Sequence, residues 1–188
     1  MAYKHSKLHG YKQVMGNAKK PHQDYCDMIR EMIPSDSKRI LEIYKMGLDT
    51  NNATFETSVP SWSDWDSKHL KHSRFVYIEN DKILGWIALS PVSTRKVYEG
   101  VVEVSVYIDT NILGKGIGSK LMDKVIISSE NHGIWTLYSS VFPENIATLK
   151  LHDKFGFRVI GKRERIAQLD NKWRDTVLLE RRSKKIGI

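Results

Sequence analysis

The segment NILGKGIGSKLM, residues 111–122, places Gly114, Gly116 and Gly118 within five positions, between the apolar run VVEVSVYID and a helical pattern with apolar residues at Ile117, Leu121, Val125 and Ile126. A strand that turns through bare backbone into a helix exposes successive N–H groups at the positive end of the helix dipole, an arrangement suited to phosphate oxygens. Spacing narrows the choice. The dinucleotide fingerprint needs G-x-G-x-x-G with an acidic residue about 20 positions later, whereas these glycines alternate and residue 138 is a tyrosine. A Walker loop, G-x-x-x-x-G-K-[ST], does not occur. The loop alone leaves two readings open, a phosphate cradle and a tight turn without a ligand.

The flanking sequence supplies alternating elements. In SDSKRILEIYKMGL a serine and an aspartate precede apolar residues at Ile40, Leu41, Tyr44 and Leu48, which predicts a capped amphipathic helix. A second helix is predicted over SWSDWDSKHLKH, opened by Ser61 or Ser63. RFVYIEND and KILGWIALSPV read as strands joined in a hairpin at Asn80 and Asp81, and VVEVSVYID as a third strand. After the glycine helix come a strand IWTLYSSVF, a helix ENIATLKLHDKFG and the strands FRVIGKRERIAQL and KWRDTVLLER. The order helix, helix, three strands, helix, strand, helix, two strands predicts an α/β sandwich around a mixed sheet, not a doubly wound parallel one.

A chain of 188 residues with 40% hydrophobic content suits one globular core. Its formal charge is +8, but residues 1–23 hold five lysines and no acid, and RRSKKIGI at 181–188 holds four basic residues and no acid. Setting those nine aside leaves the rest at about −1. The basicity belongs to the ends, and with no basic stripe interleaved with aromatics a nucleic-acid partner is not expected. The expected division is a flexible basic extension at 1–23, one domain at 24–181 and a basic tail at 182–188. Cys26 is the lone cysteine, so no internal disulfide and no zinc set is expected, and it is read as the start of a strand. No apolar run approaches the roughly 20 residues of a membrane span and no secretory signal is evident, so the expectation is a cytoplasmic protein without a membrane partner or a metal.

Two segments together carry a resemblance. VVEVSVYIDTNILGKGIGSKLM and, about 25 residues later, PENIATLKLHDKFGFRVIGK resemble the GNAT superfamily of acyl-CoA-dependent N-acetyltransferases, over roughly Asp24 to Arg181. The second motif, N-x-x-A-x-x-L-[YH]-x-x-x-G-F, maps onto Asn145, Ala147 or Thr148, Leu151, His152, Gly156 and Phe157. ATFET at 53–57, RKVY at 95–98, VEVSVY at 102–107, His152 and NKWRD at 171–175 narrow the resemblance to the phosphinothricin and methionine sulfoximine acetyltransferases. Two positions depart from that pattern. Leu113 stands where an arginine or glutamine is usual, and Glu99 and Gly100 replace a bulky or basic pair beside the substrate pocket.

The resemblance implies a GNAT fold, a central mixed, splayed sheet flanked by helices, using acetyl-CoA as co-substrate without a metal. It implies that Gly114, Lys115, Gly116, Ile117, Gly118 and Ser119 bind the pyrophosphate and that Val106, Tyr107 and Ile108 line the pantetheine, with Asn145 nearby. Backbone groups of Val106 and Ile108 are then candidates for the oxyanion. Acetyl transfer needs a neutral amine, and Glu103 is the candidate general base, on an inward-facing strand position if Val104 and Val106 face the other side. An exposed strand glutamate is the alternative. His152 stands where relatives carry a proton-donating tyrosine, and a satisfied helix histidine is the alternative there. Phe55, Arg95, Tyr98, Glu103, Val104 and Ser105 correspond to the acceptor pocket, and Asn145 could equally cap its helix. The implied partners are a small-molecule amine of amino-acid type and a second copy of the chain in a homodimer.

Overall fold

The computed structural model describes residues 28–188; Cys26 and the extension 1–23 lie outside the described residues. The chain runs β1 (Met28–Glu31), α1 (Ser37–Leu48), α2 (Trp62–Lys68), β2 (Phe75–Glu79), β3 (Lys82–Pro91), β4 (Val101–Ile108), α3 (Ile117–Asn131), β5 (Thr136–Val141), α4 (Ile146–Lys154), β6 (Arg158–Leu169) and β7 (Lys172–Arg182). Short 3-10 turns at Pro34–Asp36, Lys96–Tyr98 and Thr110–Ile112 precede α1, β4 and the glycine loop. The expected order is present, and ahead of the first helix the strand expected to start at Cys26 is described from Met28 as β1. Its four residues, MIRE, are too few to show a period, and antiparallel pairing with β2 defines them.

The seven strands form one sheet in the order β1-β2-β3-β4-β5-β7-β6, antiparallel throughout except between β4 and β5. That parallel register covers Val101 with Thr136, Val102 with Leu137 and Glu103 with Tyr138, and then stops. Since β4 continues to Ile108 and β5 to Val141, the two strands part after Glu103 and open the sheet into a cleft. The architecture is the mixed, splayed α/β sheet that the sequence predicts.

Strand side chains alternate between the faces, so each strand serves two cores. Val76, Trp86 and Ala88 meet Ile40, Ile43 and Tyr44 of α1 and Trp65 of α2. Phe75, Ile87, Leu89, Val102 and Val104 face the opposite way, against Leu121, Met122 and Val125 of α3. Trp86 also donates its indole N–H to the Ile40 carbonyl at 3.1 Å, tying β3 to α1. Asn80 and Asp81 both take positive φ, 51° and 59°, the geometry of a tight hairpin turn. Ser61 caps α2 by accepting the Asp64 amide at 3.1 Å. The helix ends sooner than predicted, because the Leu70 amide bonds to the Leu89 carbonyl at 2.8 Å and draws the chain onto β3.

The C-terminal segment, expected as a basic tail at 182–188, is tied to the domain. β7 runs through Arg182, and Ser183 is buried, its amide donating to the Trp135 carbonyl and its hydroxyl to Glu130. Arg182 folds back to donate to the carbonyls of Trp135 and Ile186. Charge count alone overlooked these partners, which turn the basic residues into local ties.

Candidate active site

A cavity of about 360 Å³ lies where β4 and β5 diverge. Its walls come from distant parts of the chain, among them Tyr44 of α1, Phe55 of the following loop, Trp65 and His69 at α2, Trp86 of β3 and Phe142 after β5. Phe55 meets Phe142 edge-on at 4.8 Å, and Tyr107 stacks on Trp86 at 4.8 Å and meets Tyr44 at 4.9 Å. The side of Tyr107 lies against Gly47 of α1, where an added Cβ would fall 2.6 Å from the ring.

Glu103, Val104, Ser105, Val106 and Tyr107 all line the cavity, whereas Ile108 packs against the core on the far side of the sheet. Val102 and Val104 are buried and Glu103 sits between them, so alternation turns its side chain away from the α3 core. Glu103 is half-buried, and burial pushes its carboxyl above the ordinary glutamate range. A carboxylate held this way is more basic than one in water.

His152, on α4, lines the same cavity and is 1% exposed. Its Nδ1 pairs with the Thr148 carbonyl at 2.8 Å, which fixes the proton on Nδ1 and leaves Nε2 as an acceptor, buried without a partner. Burial also lowers its pKa, against the pull of that carbonyl, so the neutral ring prevails. A neutral Nδ1–H tautomer accepts a hydrogen bond at Nε2, and it gives a proton there only after being charged.

Asn145 caps α4 by accepting the Thr148 amide at 3.1 Å while donating to the Asn52 carbonyl at 2.9 Å, so both ends of its amide are engaged. The glycine loop opens α3 as anticipated. Gly114 and Gly116 have φ of 87° and 74°, and a Cβ on either would meet no atom within 4 Å. Gly118 instead backs onto Leu151 of α4, 3.3 Å from where its Cβ would be. Asp109 braces the approach by accepting the Asn111 amide at 2.9 Å and pairing with Arg39 of α1. Lys115 pairs with Glu79 at 2.9 Å, and the Ser119 hydroxyl accepts from Lys154 at 3.1 Å.

Arg95 and Tyr98 are not brought to this cavity. Arg95 precedes and Tyr98 ends the 3-10 turn at Lys96–Tyr98, whose residues are exposed, and the Arg95 guanidinium lies 5.3 Å over the Tyr98 ring. Among the walls that sequence reading missed, Tyr44, Trp65, His69 and Trp86 belong to the α1, α2 and β3 packing. The spacing of Trp65 and His69, four apart on one helix face, was the available signal.

Comparison with known proteins agrees with this fold. The model of the acetyltransferase (GNAT) family matches residues 39–157. YwnH of Bacillus subtilis, named provisionally as a phosphinothricin acetyltransferase, is 33% identical over 152 residues, covering 78% of this chain and 93% of that protein. The L-methionine sulfoximine/L-methionine sulfone acetyltransferase of Pseudomonas aeruginosa is 24% identical, over 81% of this chain and 92% of its own. Among solved structures, a phosphinothricin acetyltransferase from Sinorhizobium meliloti in complex with acetyl-CoA superposes with a TM-score of 0.78 at 21% identity, covering 86% and 90% of the two chains. A splayed sheet, a glycine turn into α3 and a family match across both make this chain a member of the GNAT family and an N-acetyltransferase.

Proposed function

We propose that the chain moves the acetyl group of acetyl-CoA to the primary amine of a small acceptor of amino-acid type, as its phosphinothricin and methionine sulfoximine relatives are named for doing, with Glu103 as general base. The observation that carries this reading is the Glu103 carboxyl, half-buried in the cavity at the last paired position before β4 and β5 part. An aliphatic ammonium must lose a proton before its nitrogen can attack, and a carboxylate of raised pKa takes that proton more readily than an exposed one.

When bound, acetyl-CoA would supply the thioester; the nitrogen, having given its first proton to Glu103, forms the C–N bond, the C–S bond breaks, and the second proton shed by the nitrogen accounts for the protonation of the departing thiolate. Room for the pyrophosphate exists at the α3 N-terminus, where Gly114 and Gly116 leave open space on the side a Cβ would fill. The β4 backbone beyond Glu103 has no partner from β5, which leaves it able to bond the pantetheine arm and to place Val106 as an oxyanion donor. His152 serves in this reading as an acceptor that orients the amine. The exposed turn with Val97 and Tyr98 is assigned to a homodimer contact.

The test is thiol release from acetyl-CoA across phosphinothricin, methionine sulfoximine, methionine sulfone and the common amino acids. Release that depends on the amine and collapses in Glu103→Gln supports the reading. Acetyl-CoA binding without amine-dependent release defeats it.

A further inference from the structure

Four buried side-chain polar atoms among the described residues have no hydrogen-bond partner, and three of them, Trp65 Nε1, His152 Nε2 and Thr176 Oγ1, belong to residues that line the cavity beside Glu103. Trp65 is 2% exposed, His152 1% and Thr176 3%. Buried polar groups nearly always find partners, and an orphaned donor costs about 1–3 kcal/mol. Three around one cavity fit a polar ligand, and each specifies what that ligand brings. An unprotonated imidazole nitrogen accepts and a hydroxyl does either, but an indole N–H can only donate. Trp65 therefore calls for an acceptor atom.

The ring of Trp65 is covered on both faces, by Trp62 at 5.0 Å and by His69 at 4.0 Å, so it meets the cavity at its edge, which is where an indole carries its N–H. It packs with Trp86 and Ala88 of β3. Ala88 pairs with Ser105 of β4, two residues along the strand from Glu103, a span of about 7 Å. That separation matches the length of a short amino-acid side chain whose amine lies at Glu103. Arg95, expected to hold the far group of the acceptor, stands outside the cavity on its own turn, whereas Trp65 is a buried donor within it.

We propose that the Trp65 indole N–H is a specificity-determining donor, which binds an oxygen at the far end of the acceptor's side chain, roughly 5–7 Å from the amine that Glu103 deprotonates. This rests on the acetyl transfer proposed above and deepens it. The acceptors it fits are amino acids that carry a sulfone, sulfoximine, phosphinate or carboxylate oxygen at that distance, neutral or anionic alike, because an N–H serves any oxygen lone pair. A side chain of equal length without the oxygen leaves the indole orphaned and should give a kcat/KM lower by roughly 10-fold or more.

The test is kcat/KM for thiol release by the full chain with methionine sulfone, methionine sulfoximine and phosphinothricin, each against methionine, which has the chain length without the oxygen. Each oxygen-bearing acceptor should show that lead in the native chain. Trp65→Phe keeps a ring between Trp62 and His69 and deletes the N–H, so each ratio should fall toward one. A merely structural loss would be shared by all acceptors and leave the ratios alone. Where the smaller ring unfolds the chain, the isosteric amino acid with benzothiophene in place of the Trp65 indole makes the same comparison, with sulfur replacing the N–H. Ratios unaltered in a folded variant, or native turnover of methionine equal to that of the sulfone, overturn the inference while leaving acetyl transfer standing. Acetyl-CoA binding with no release from any amine overturns both.

Discussion

Gly100 and Trp135 are fitted to each other: a Cβ on Gly100 would fall 2.1 Å from Cε3 of the indole, and the Gly100 carbonyl accepts the amides of Trp135 and Thr136 at 2.9 and 3.0 Å. The contact closes the end of the cleft, three residues before Glu103, where β4 and β5 still pair. The absence of a side chain at position 100, a departure from the resembling family, is thereby explained: the space belongs to Trp135.

Gly100→Ala should therefore destabilise the fold through overpacking, by about 1–3 kcal/mol. Main-chain strain does not contribute, because Gly100 is outside the left-handed region. Adding Trp135→Leu should recover most of the loss by removing the ring atoms in the way. Urea midpoints of the two single variants and the double variant measure the coupling. An unchanged midpoint in Gly100→Ala would show that the indole yields freely.

The C-terminal ties predict a truncation boundary. A chain ending at Glu180 loses the pairing of Arg181 and Arg182 with β5 and the Ser183 hydroxyl bonded to Glu130 at 3.0 Å, whereas one ending at Ile186 retains them. The first should unfold at lower urea than the second. Ser183→Ala alone should cost about 1–3 kcal/mol, since it removes a partner from a buried carboxylate. Burial opposes ionisation of Glu130, yet the bonds from Ser183 and Arg181 prevail and hold its carboxyl below the ordinary range. A folded pKa below the unfolded one stabilises at neutral pH and ceases to as pH falls through the ordinary carboxylate range and then the folded value. The Ser183→Ala penalty should accordingly be greatest near neutral pH and shrink on acidification.

What could be read beforehand divides along a physical line. The Asn80–Asp81 turn, the Ser61 cap and the apolar face of α3 are local, set by residues within one or two turns of each other. The cavity is not local: Tyr44, Trp86 and Tyr107 meet through contacts between α1, β3 and β4 that no period encodes. Glu103 could be placed because alternation fixes its face, whereas the position of Arg95 depends on how a 3-10 turn leaves the sheet. The register shift in β6 between Arg163 and Ala167, with Arg165 at φ 49°, likewise has no glycine to announce it.

At the glycine loop, Gly116→Asn should lower acetyl-CoA affinity by more than about tenfold while the chain still folds, since asparagine tolerates the left-handed region better than other side chains. Position 116 has φ 74° and open space, so the added atoms meet no protein and contest only what approaches the α3 N-terminus. Gly116→Val would confound strain with obstruction. Titration calorimetry with acetyl-CoA, alongside a thermal melt, separates the two effects. Native affinity in a folded Gly116→Asn chain would remove the loop from the cofactor site.

Glu103→Gln gives opposite expectations for rate and stability. If Glu103 takes the amine's proton, turnover should fall on the order of 10²-fold to 10⁴-fold with acetyl-CoA affinity nearly constant, because the amide keeps the shape and loses the basicity. Burial raises the Glu103 pKa in the folded chain, so the native profile of kcat/KM should climb with pH through an apparent value above the ordinary glutamate range, and that acidic limb should vanish in the variant. The linkage runs the other way for folding. An acid whose folded pKa is raised stabilises fully below its unfolded pKa and loses that contribution as pH rises through the folded value. At neutral pH the native chain therefore bears the cost of a half-buried carboxylate, and Glu103→Gln should match its stability near pH 4 and exceed it near pH 7. A variant that is slower and also less stable at neutral pH would mark Glu103 as a structural residue, with its carboxylate satisfied by the fold and not reserved for the amine.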